Sequence, residues 1–154
     1  MKNIRKAKNL TFTVSNRQKK IRINLDKIKE VLEAAEKLFA APPEEAGVII
    51  VSDRTIRKIN KDFLNKDAST DVMSFKLSGK YGEIIISAET ALRNSSKYGI
   101  SLEKEALYLI VHGYLHLKNY KDYNTAQRKK MMDVQDEIFS QLLGTGLLDG
   151  KTGQ

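Results

Sequence analysis

The stretch Ser101-Leu-Glu-Lys-Glu-Ala-Leu-Tyr-Leu-Ile-Val-His-Gly-Tyr-Leu-His-Leu117 is strongly apolar and predicts a buried helix. Ser101 is a typical residue to begin such a helix. Its apolar side chains recur at helical spacing and include Leu107, Ile110, Val111, Leu115 and Leu117. The same stretch carries both histidines of the chain, His112 and His116, so their chemistry depends on where this helix lies.

Further elements are predicted on both sides of this helix. A last helix begins near Asn124 and ends before Gly144. On the N-terminal side, residues 88–97 predict a helix, and residues 72–77 and 83–87 predict two strands. The short connection between Gly79 and Gly82 indicates that these two strands form an antiparallel hairpin.

The N-terminal half adds two more strands and two more helices. Residues 10–14 alternate as in a half-buried strand, and the apolar run over residues 47–51 is typical of a central strand covered on both faces. Asn24 is a typical cap for a helix that we expect to end near Ala41, before Pro42-Pro43. Asp53 is the expected cap of the helix that follows the central strand. These elements together predict an α+β fold or a mixed α/β fold, of which we expect α+β.

Size and composition limit the class of protein. A chain of 154 residues is the usual size of one domain, and we expect residues 1–148 to form it and residues 149–154 to be a disordered tail. The absence of cysteine excludes disulfides and thiolate metal sites. The longest apolar run, residues 46–51, is too short to cross a membrane, and the basic N-terminus has no signal-peptide core. We therefore expect a cytoplasmic protein without a membrane partner.

The charge of the chain points to polyanions. Lys and Arg number 27 against 19 Asp and Glu, a formal net charge of +8. Such an excess favours association with RNA, although a plain solvated basic surface accounts for it equally well.

The spacing of the two histidines indicates a metal site. Residues four apart lie one turn apart on the same helix face, where His112 and His116 can reach a single ion. The alternative is that both are core histidines bonded to backbone carbonyls. A catalytic zinc ion usually takes three protein ligands. Asn119 is a suitable left-handed terminator, after which the chain can turn back and bring Asp122 to the histidines.

Other functions of these residues remain open. Asp122 could instead belong only to the turn that leads into the last helix. Gly113 stands where the usual zinc peptidase motif needs a glutamate as general base, which argues against a peptidase of that type. A metal-dependent hydrolase of small molecules or peptides rests on the histidine spacing alone.

Two motif blocks resemble the YbeY family. Residues 112–122, His-Gly-Tyr-Leu-His-Leu-Lys-Asn-Tyr-Lys-Asp, are similar to its His-Gly-x-Leu-His-Leu-x-Gly-Tyr-Asp-His signature. Residues 60–75, which include Thr70-Asp71-Val72-Met73-Ser74-Phe75, resemble its segment ending in Thr-Asp-Val-Leu-Ser-Phe, and residues 82–87 resemble its Gly-Asp-Ile-x-Ile-Ser strand. The similarity covers about residues 46–143.

The resemblance implies a fold and an activity. The expected fold is a single domain with a mixed sheet of about four strands flanked by about five helices and a metalloprotease-like zinc site. The expected activity is a metal-dependent endoribonuclease that acts in maturation of 16S ribosomal RNA and in ribosome quality control. Its partners would be ribosomal RNA and the small ribosomal subunit, and no DNA is expected. Zn²⁺ is the expected ion, with His112, His116 and Asp122 as ligands.

The resemblance also suggests further site residues. At some motif positions, however, this sequence differs from the family. Ser74, Asp71 and Lys66 are candidate catalytic or cleft residues, although Ser74 could be structural and Lys66 a plain solvated lysine. Asp122 replaces the family's third histidine, and Leu64 stands where the family has an arginine. Because leucine cannot bind a phosphate, a ribosome-binding or RNA-binding assembly factor with little turnover is the alternative function.

Overall fold

Four strands form one mixed sheet in the computed structural model, which describes residues 9–149. The strands are β1 (Thr11–Asn16), β2 (Glu45–Val51), β3 (Val72–Lys76) and β4 (Tyr81–Ser87). Their order across the sheet is β1-β2-β4-β3, with β2 parallel to both β1 and β4 and with β3 antiparallel to β4. The predicted hairpin and the predicted central strand are therefore confirmed.

Within the described residues, five α-helices accompany the sheet, as expected. They are α1 (Leu25–Ala34), α2 (Asp53–Leu64), α3 (Ala88–Tyr98), α4 (Leu102–Leu117) and α5 (Thr125–Leu143). Within residues 9–149, no helix has both the length and the apolar composition that a membrane crossing requires. The expected disordered tail, residues 149–154, lies outside the described residues except for Asp149.

Alternation along the central strands divides the core into two parts. One face of the sheet buries Val48, Ile50 and Ile84 in a large cluster with α1 and α4. The other face buries Val51 and Ile85 in a smaller cluster with α2. Burial on both faces explains why these strands read as continuous apolar runs, because neither set of alternate side chains faces water.

Helix α4 is the most buried helix, and Gly113 lets it lie directly on the sheet. A Cβ atom at Gly113 would stand 2.6 Å from Cγ2 of Ile84 and 2.9 Å from Oγ of Ser74. Real Cβ atoms do not approach other atoms this closely, so any other residue would push the helix away from the strands. The position of His112, one residue earlier, is therefore set by helix-to-sheet contact.

Two local predictions were wrong. Helix α1 ends at Ala34, and a short 3-10 helix (Glu36–Leu38) replaces the expected continuation to Ala41. The reason is tertiary: the carbonyl of Phe39 accepts a hydrogen bond from the N–H of Leu10, and the Phe39 ring packs edge-on against two other aromatic rings. An extended backbone at that point makes both contacts.

The second correction concerns the start of α2. Ser52, not Asp53, caps the helix, since its hydroxyl accepts a hydrogen bond from the N–H of Thr55. The carboxylate of Asp53 accepts hydrogen bonds from Thr90 at 2.6 Å and Arg93 at 2.8 Å instead. Asp53 therefore ties α2 to α3.

Candidate metal centre

The two histidine rings meet on the last turns of α4. Their Nε2 atoms lie 3.1 Å apart, and the ring planes cross at 79°. Both rings are partly buried, and most of the neighbouring residues of α4 are apolar and buried. The predicted approach of His112 and His116 on one helix face is confirmed.

The other nitrogen of each ring, Nδ1, has a hydrogen-bond partner, and that partner assigns the ring proton to Nδ1. The Nδ1 of His116 donates to the carbonyl oxygen of Tyr120 at 3.1 Å, because a carbonyl can only accept. The Nδ1 of His112 lies 3.0 Å from Oε1 of Gln135, and the amide nitrogen of Gln135 donates to the carbonyl of Tyr108 at 3.4 Å. This amide orientation makes Oε1 the acceptor for His112.

These protonation states leave both Nε2 atoms as acceptors. Two lone pairs that face each other at 3.1 Å repel unless a cation lies between them. In a tetrahedral site with Zn–N bonds of about 2.0–2.1 Å, two ligand nitrogens stand about 3.3 Å apart. The histidine geometry therefore fits one ion of that kind.

Asp122 places a carboxylate oxygen beside the two histidine nitrogens, as the third candidate ligand atom. After α4 ends, Asn119 adopts the left-handed conformation with φ of 71°, as the sequence predicts, and the N–H of Tyr120 donates back to the carbonyl of Leu115. This reversal brings Oδ2 of Asp122 to 3.5 Å from Nε2 of His116. One ligand atom from each of His112, His116 and Asp122 lies within 4.8 Å of the other two, so the three residues could hold a metal ion.

The electrostatics keep the second histidine neutral. Burial lowers the pKa of His116 below its usual value, and the neighbouring His112 lowers it further, whereas the carboxylate of Asp122 acts in the opposite direction. Because a metal ion binds the neutral imidazole, a lowered pKa keeps the ring in its binding form at neutral pH.

A cavity of about 250 Å³ adjoins these residues. Asp71 lies in its wall, and the amide of Asn94 donates to the Asp71 carboxylate at 3.4 Å. The full lining comprises Asp71, Val72, Tyr108, Leu109, His112, Asp122, Arg128, Met131, Met132 and Gln135. Asp71, a catalytic candidate from the sequence, thus lines the same cavity as His112 and Asp122, two of the metal-ligand candidates.

The other two catalytic candidates lie elsewhere. The hydroxyl of Ser74 donates to the carbonyl of Gly113 at 2.9 Å, beneath α4. Lys66 is exposed in the loop after α2 and is not part of the cavity lining. Ser74 therefore links β3 to the helix, whereas Lys66 projects from the surface.

Sequence reasoning missed two residues of this site. Gln135 is only 4% exposed, and it is the polar member of a buried row on α5 with Met131 and Leu142. A glutamine in an otherwise apolar row of a predicted helix was the available signal. Arg128 in the cavity wall left no such signal, because arginine is common on helix surfaces.

Comparison with known proteins identifies relatives over most of the chain. A family model described as Endoribonuclease YbeY matches residues 13–143. A protein of Geobacter sulfurreducens named Endoribonuclease YbeY is 33% identical in an alignment of 150 positions, and the match covers 90% of this chain and all of the relative. A protein of the same name from Moorella thermoacetica is 36% identical over 139 residues, covering 80% of this chain and 87% of the relative.

A solved structure shows the same fold. The solution structure of TM1509 from Thermotoga maritima is similar with a TM-score of 0.56 and 27% sequence identity. The match covers 94% of this chain and 99% of the other. The four-stranded mixed sheet with its helices is therefore a known arrangement.

Proposed function

This chain belongs to the Endoribonuclease YbeY family, and on that premise we propose that it is a metal-dependent endoribonuclease that acts on ribosomal RNA. The proposed role is maturation of the 16S species of the small ribosomal subunit and ribosome quality control in the cytoplasm. The observation that carries the proposal is that one ring nitrogen from each of His112 and His116 and one carboxylate oxygen of Asp122 lie within 4.8 Å of one another.

His112, His116 and Asp122 are the proposed ligands, and Zn²⁺ is the proposed ion. Two imidazoles and one carboxylate form a donor set that suits zinc and leaves one position open. When bound, such an ion supplies Lewis acidity toward a phosphoryl oxygen or a water molecule. The formal net charge of +8 supports a polyanionic substrate.

Neighbouring protein groups orient the two histidine rings and determine which ring nitrogen carries the proton. Gln135 and the Tyr120 carbonyl hold the Nδ1 protons, so each ring keeps one orientation and one tautomer. Asp71 offers a carboxylate in the same cavity, and it is the proposed acceptor of a proton from a water molecule or from a ribose 2′-hydroxyl. Lys66 is a proposed contact for a more distant phosphate.

The test combines metal analysis with RNA cleavage. Purified protein, cleared of other nucleases, is assayed on a 16S ribosomal RNA precursor fragment and on DNA of the same sequence. We expect about one zinc ion per chain, cleavage of the RNA alone, loss of activity with chelator and recovery on addition of Zn²⁺. Asp122→Ala should remove both metal and activity.

The matched control is Asp133→Ala. Asp133 lies on α5, is exposed and forms an ion pair with Lys129 at 3.5 Å, so its removal should leave metal content and cleavage unchanged. Cleavage that persists in chelator and in Asp122→Ala at the wild-type rate would overturn the metal mechanism.

A second function follows from Leu64. Its side chain is 54% exposed at the end of α2 and offers no charge to RNA. An assembly factor that binds ribosomal RNA or the small subunit with little turnover fits this surface. RNA binding without cleavage in the metal-loaded protein would favour this function over the endoribonuclease.

A further inference from the structure

A guanidinium group lies in the wall of the cavity at the metal centre. Arg128 belongs to the first turn of α5, and its Nη1 donates to the backbone carbonyl of Asp122 at 3.3 Å. Its Nη2 donates to the hydroxyl of Thr125, also at 3.3 Å. Both acceptors are neutral oxygens, so they hold the group in place without cancelling its charge, and further N–H donors are left for a ligand.

A second hollow, of about 340 Å³, is lined by residues of the same turn and of the start of α5. Neighbouring residues alternate between the two spaces: Lys121 lines the hollow and Asp122 the cavity, and Lys130 lines the hollow and Met131 the cavity. The hollow is lined by Lys118, Asn119, Tyr120, Lys121, Gln127 and Lys130. The hollow and the cavity are therefore both lined by the Asp122 turn and by the start of α5.

Three positive side chains on this surface lack anionic partners in the part of the chain that the structure describes. Among residues 9–149, no carboxylate oxygen lies within 4.0 Å of the cationic nitrogens of Lys121, Arg128 or Lys130. Lys129, the residue between two of them, does have a partner, Asp133. Positive side chains that remain unpaired on both sides of one turn create a field that attracts an anion.

We propose that Arg128, Lys121 and Lys130 form a phosphate-binding strip that holds the backbone of single-stranded RNA across the metal centre. Arg128 takes the phosphate next to His112 and Asp122, and the two lysines take phosphates beyond the Asp122 turn. A guanidinium suits the inner position because its planar donors contact two phosphate oxygens together. This inference rests on the proposed function, since it places the substrate of that same site.

The exposed ring of Tyr123 supports a single-stranded substrate. The ring is 79% exposed, directly follows Asp122, and has the ammonium group of Lys121 at 5.9 Å from its centroid. An aromatic face beside phosphate-binding cations is the arrangement on which unpaired bases stack. A strand held by the strip would therefore pass this ring.

Binding in the absence of cleavage tests the strip. The full chain is titrated in chelator with a fluorescent single-stranded RNA of about 20 nucleotides, at several salt concentrations, so that affinity and its salt dependence are both measured. Arg128→Gln, Lys130→Gln and Lys121→Gln should each weaken binding about threefold to tenfold. Each should also reduce the slope of log affinity against log salt by about 0.7, the value for one lost single-strand contact.

Lys129→Gln is the matched control, because it removes the same charge from the same helix turn at a paired residue. Circular dichroism and the melting temperature confirm that all variants are folded. Losses in the three strip variants no greater than in Lys129→Gln would overturn the proposal. Displacement of the RNA by polyglutamate as effectively as by unlabelled RNA would also overturn it, since the surface would then prefer acidic protein.

Cleavage kinetics separate the inner residue from the outer two. Lys121→Gln and Lys130→Gln should raise KM with kcat unchanged, whereas Arg128→Lys should retain affinity and lower kcat because it loses the forked contact. A wild-type protein that binds RNA with the expected variant pattern but never cleaves it would refute the endoribonuclease and leave the strip intact. A protein that cleaves RNA, but whose three strip variants bind RNA as Lys129→Gln does, would refute the strip and leave the endoribonuclease intact.

Discussion

The two halves of α4 both bury polar side chains, but they satisfy them differently. In the C-terminal half, each histidine has an outer hydrogen-bond partner, and the two remaining lone pairs point to a common position. In the N-terminal half, Glu105 is only 2% exposed, with Asn94 as a side-chain hydrogen-bond partner and Asp71 as a nearby like charge.

The difference in hydrogen bonding distinguishes the histidine pair, a candidate metal site, from Glu105, a buried carboxyl group that holds a proton. Burial raises the pKa of Glu105 from its ordinary 4.5 to about 7, an effect that Asn94 opposes and that Asp71 increases. Below about pH 7, the buried carboxyl of Glu105 is thus kept neutral by its own proton. The histidine pair, with protons assigned to the outer side, offers its inner side to a cation.

Glu105→Gln should have the largest effect, and it should appear in the pH dependence of stability. As pH rises from about 4.5 to 7, the unfolded chain ionises Glu105 while the folded chain keeps it protonated. The free energy of unfolding therefore falls over this range, by up to about 3 kcal/mol, and levels off above pH 7.

The glutamine variant should lose this decline and be the more stable protein at pH 8, as measured by urea unfolding at several pH values. Glu137→Gln, at an exposed position of α5, is the control and should follow the wild-type curve. Parallel curves for wild type and Glu105→Gln would show that the buried carboxyl does not titrate as described.

Gly113→Ala should destabilise the protein by about 2 kcal/mol. The new methyl would meet Ile84 and Ser74 at distances below 3.0 Å, and both neighbours are held by their own contacts. Because α4 must move outward, the C-terminal half should lose metal affinity as well. Chemical denaturation and zinc titration measure the two effects.

Gly79→Ala is the companion variant, since nothing lies within 4 Å of a Cβ at that exposed position. It should leave both quantities within about 0.5 kcal/mol of wild type. If the Gly113→Ala variant proved as stable as the Gly79→Ala variant, the helix would not be tightly seated on the sheet.

Gln135→Leu should weaken zinc binding about tenfold to hundredfold with little loss of stability. The change keeps the bulk of the side chain but removes the acceptor that orients His112. Competition with a chromogenic chelator gives the affinity. Gln141→Leu, on the exposed side of the same helix, should bind zinc as the wild type does.

Asn119→Ala should produce the smallest effect, about 1 kcal/mol of stability, because alanine is disfavoured at the φ of 71° that turns the chain toward Asp122. Asn119→Gly should cost less than the alanine variant, since glycine adopts that conformation without strain. Thermal unfolding of the two variants side by side is the measurement. Equal losses would assign the effect to the lost amide side chain instead.

Much of the secondary structure was predictable because it depends on local signals. Asn24, Ser101 and Asn124 cap the helices that they were expected to begin, and the short link between residues 79 and 82 produced the antiparallel pair. The predictions around Ala41 and Asp53 were wrong where a distant strand or helix offered the segment a better partner.

The candidate site was predictable in part for the same reason. His112 and His116 lie on one helix, and Asp122 follows a turn whose conformation Asn119 favours, so a few residues of local geometry placed all three. Gln135 and Arg128 come from α5, and their positions depend on how that helix packs against α4.

The sequence by itself determined most of the helices and strands and the histidine pair, because periodicity, caps and turn residues act over a few positions along the chain. Only the tertiary structure decided that β1, β2 and β4 run parallel and that Gly113 touches the sheet. It alone also decided which nitrogen of each ring is free. These features arise from contacts between distant segments, whose pairing is set by packing and hydrogen-bond satisfaction and leaves no local pattern.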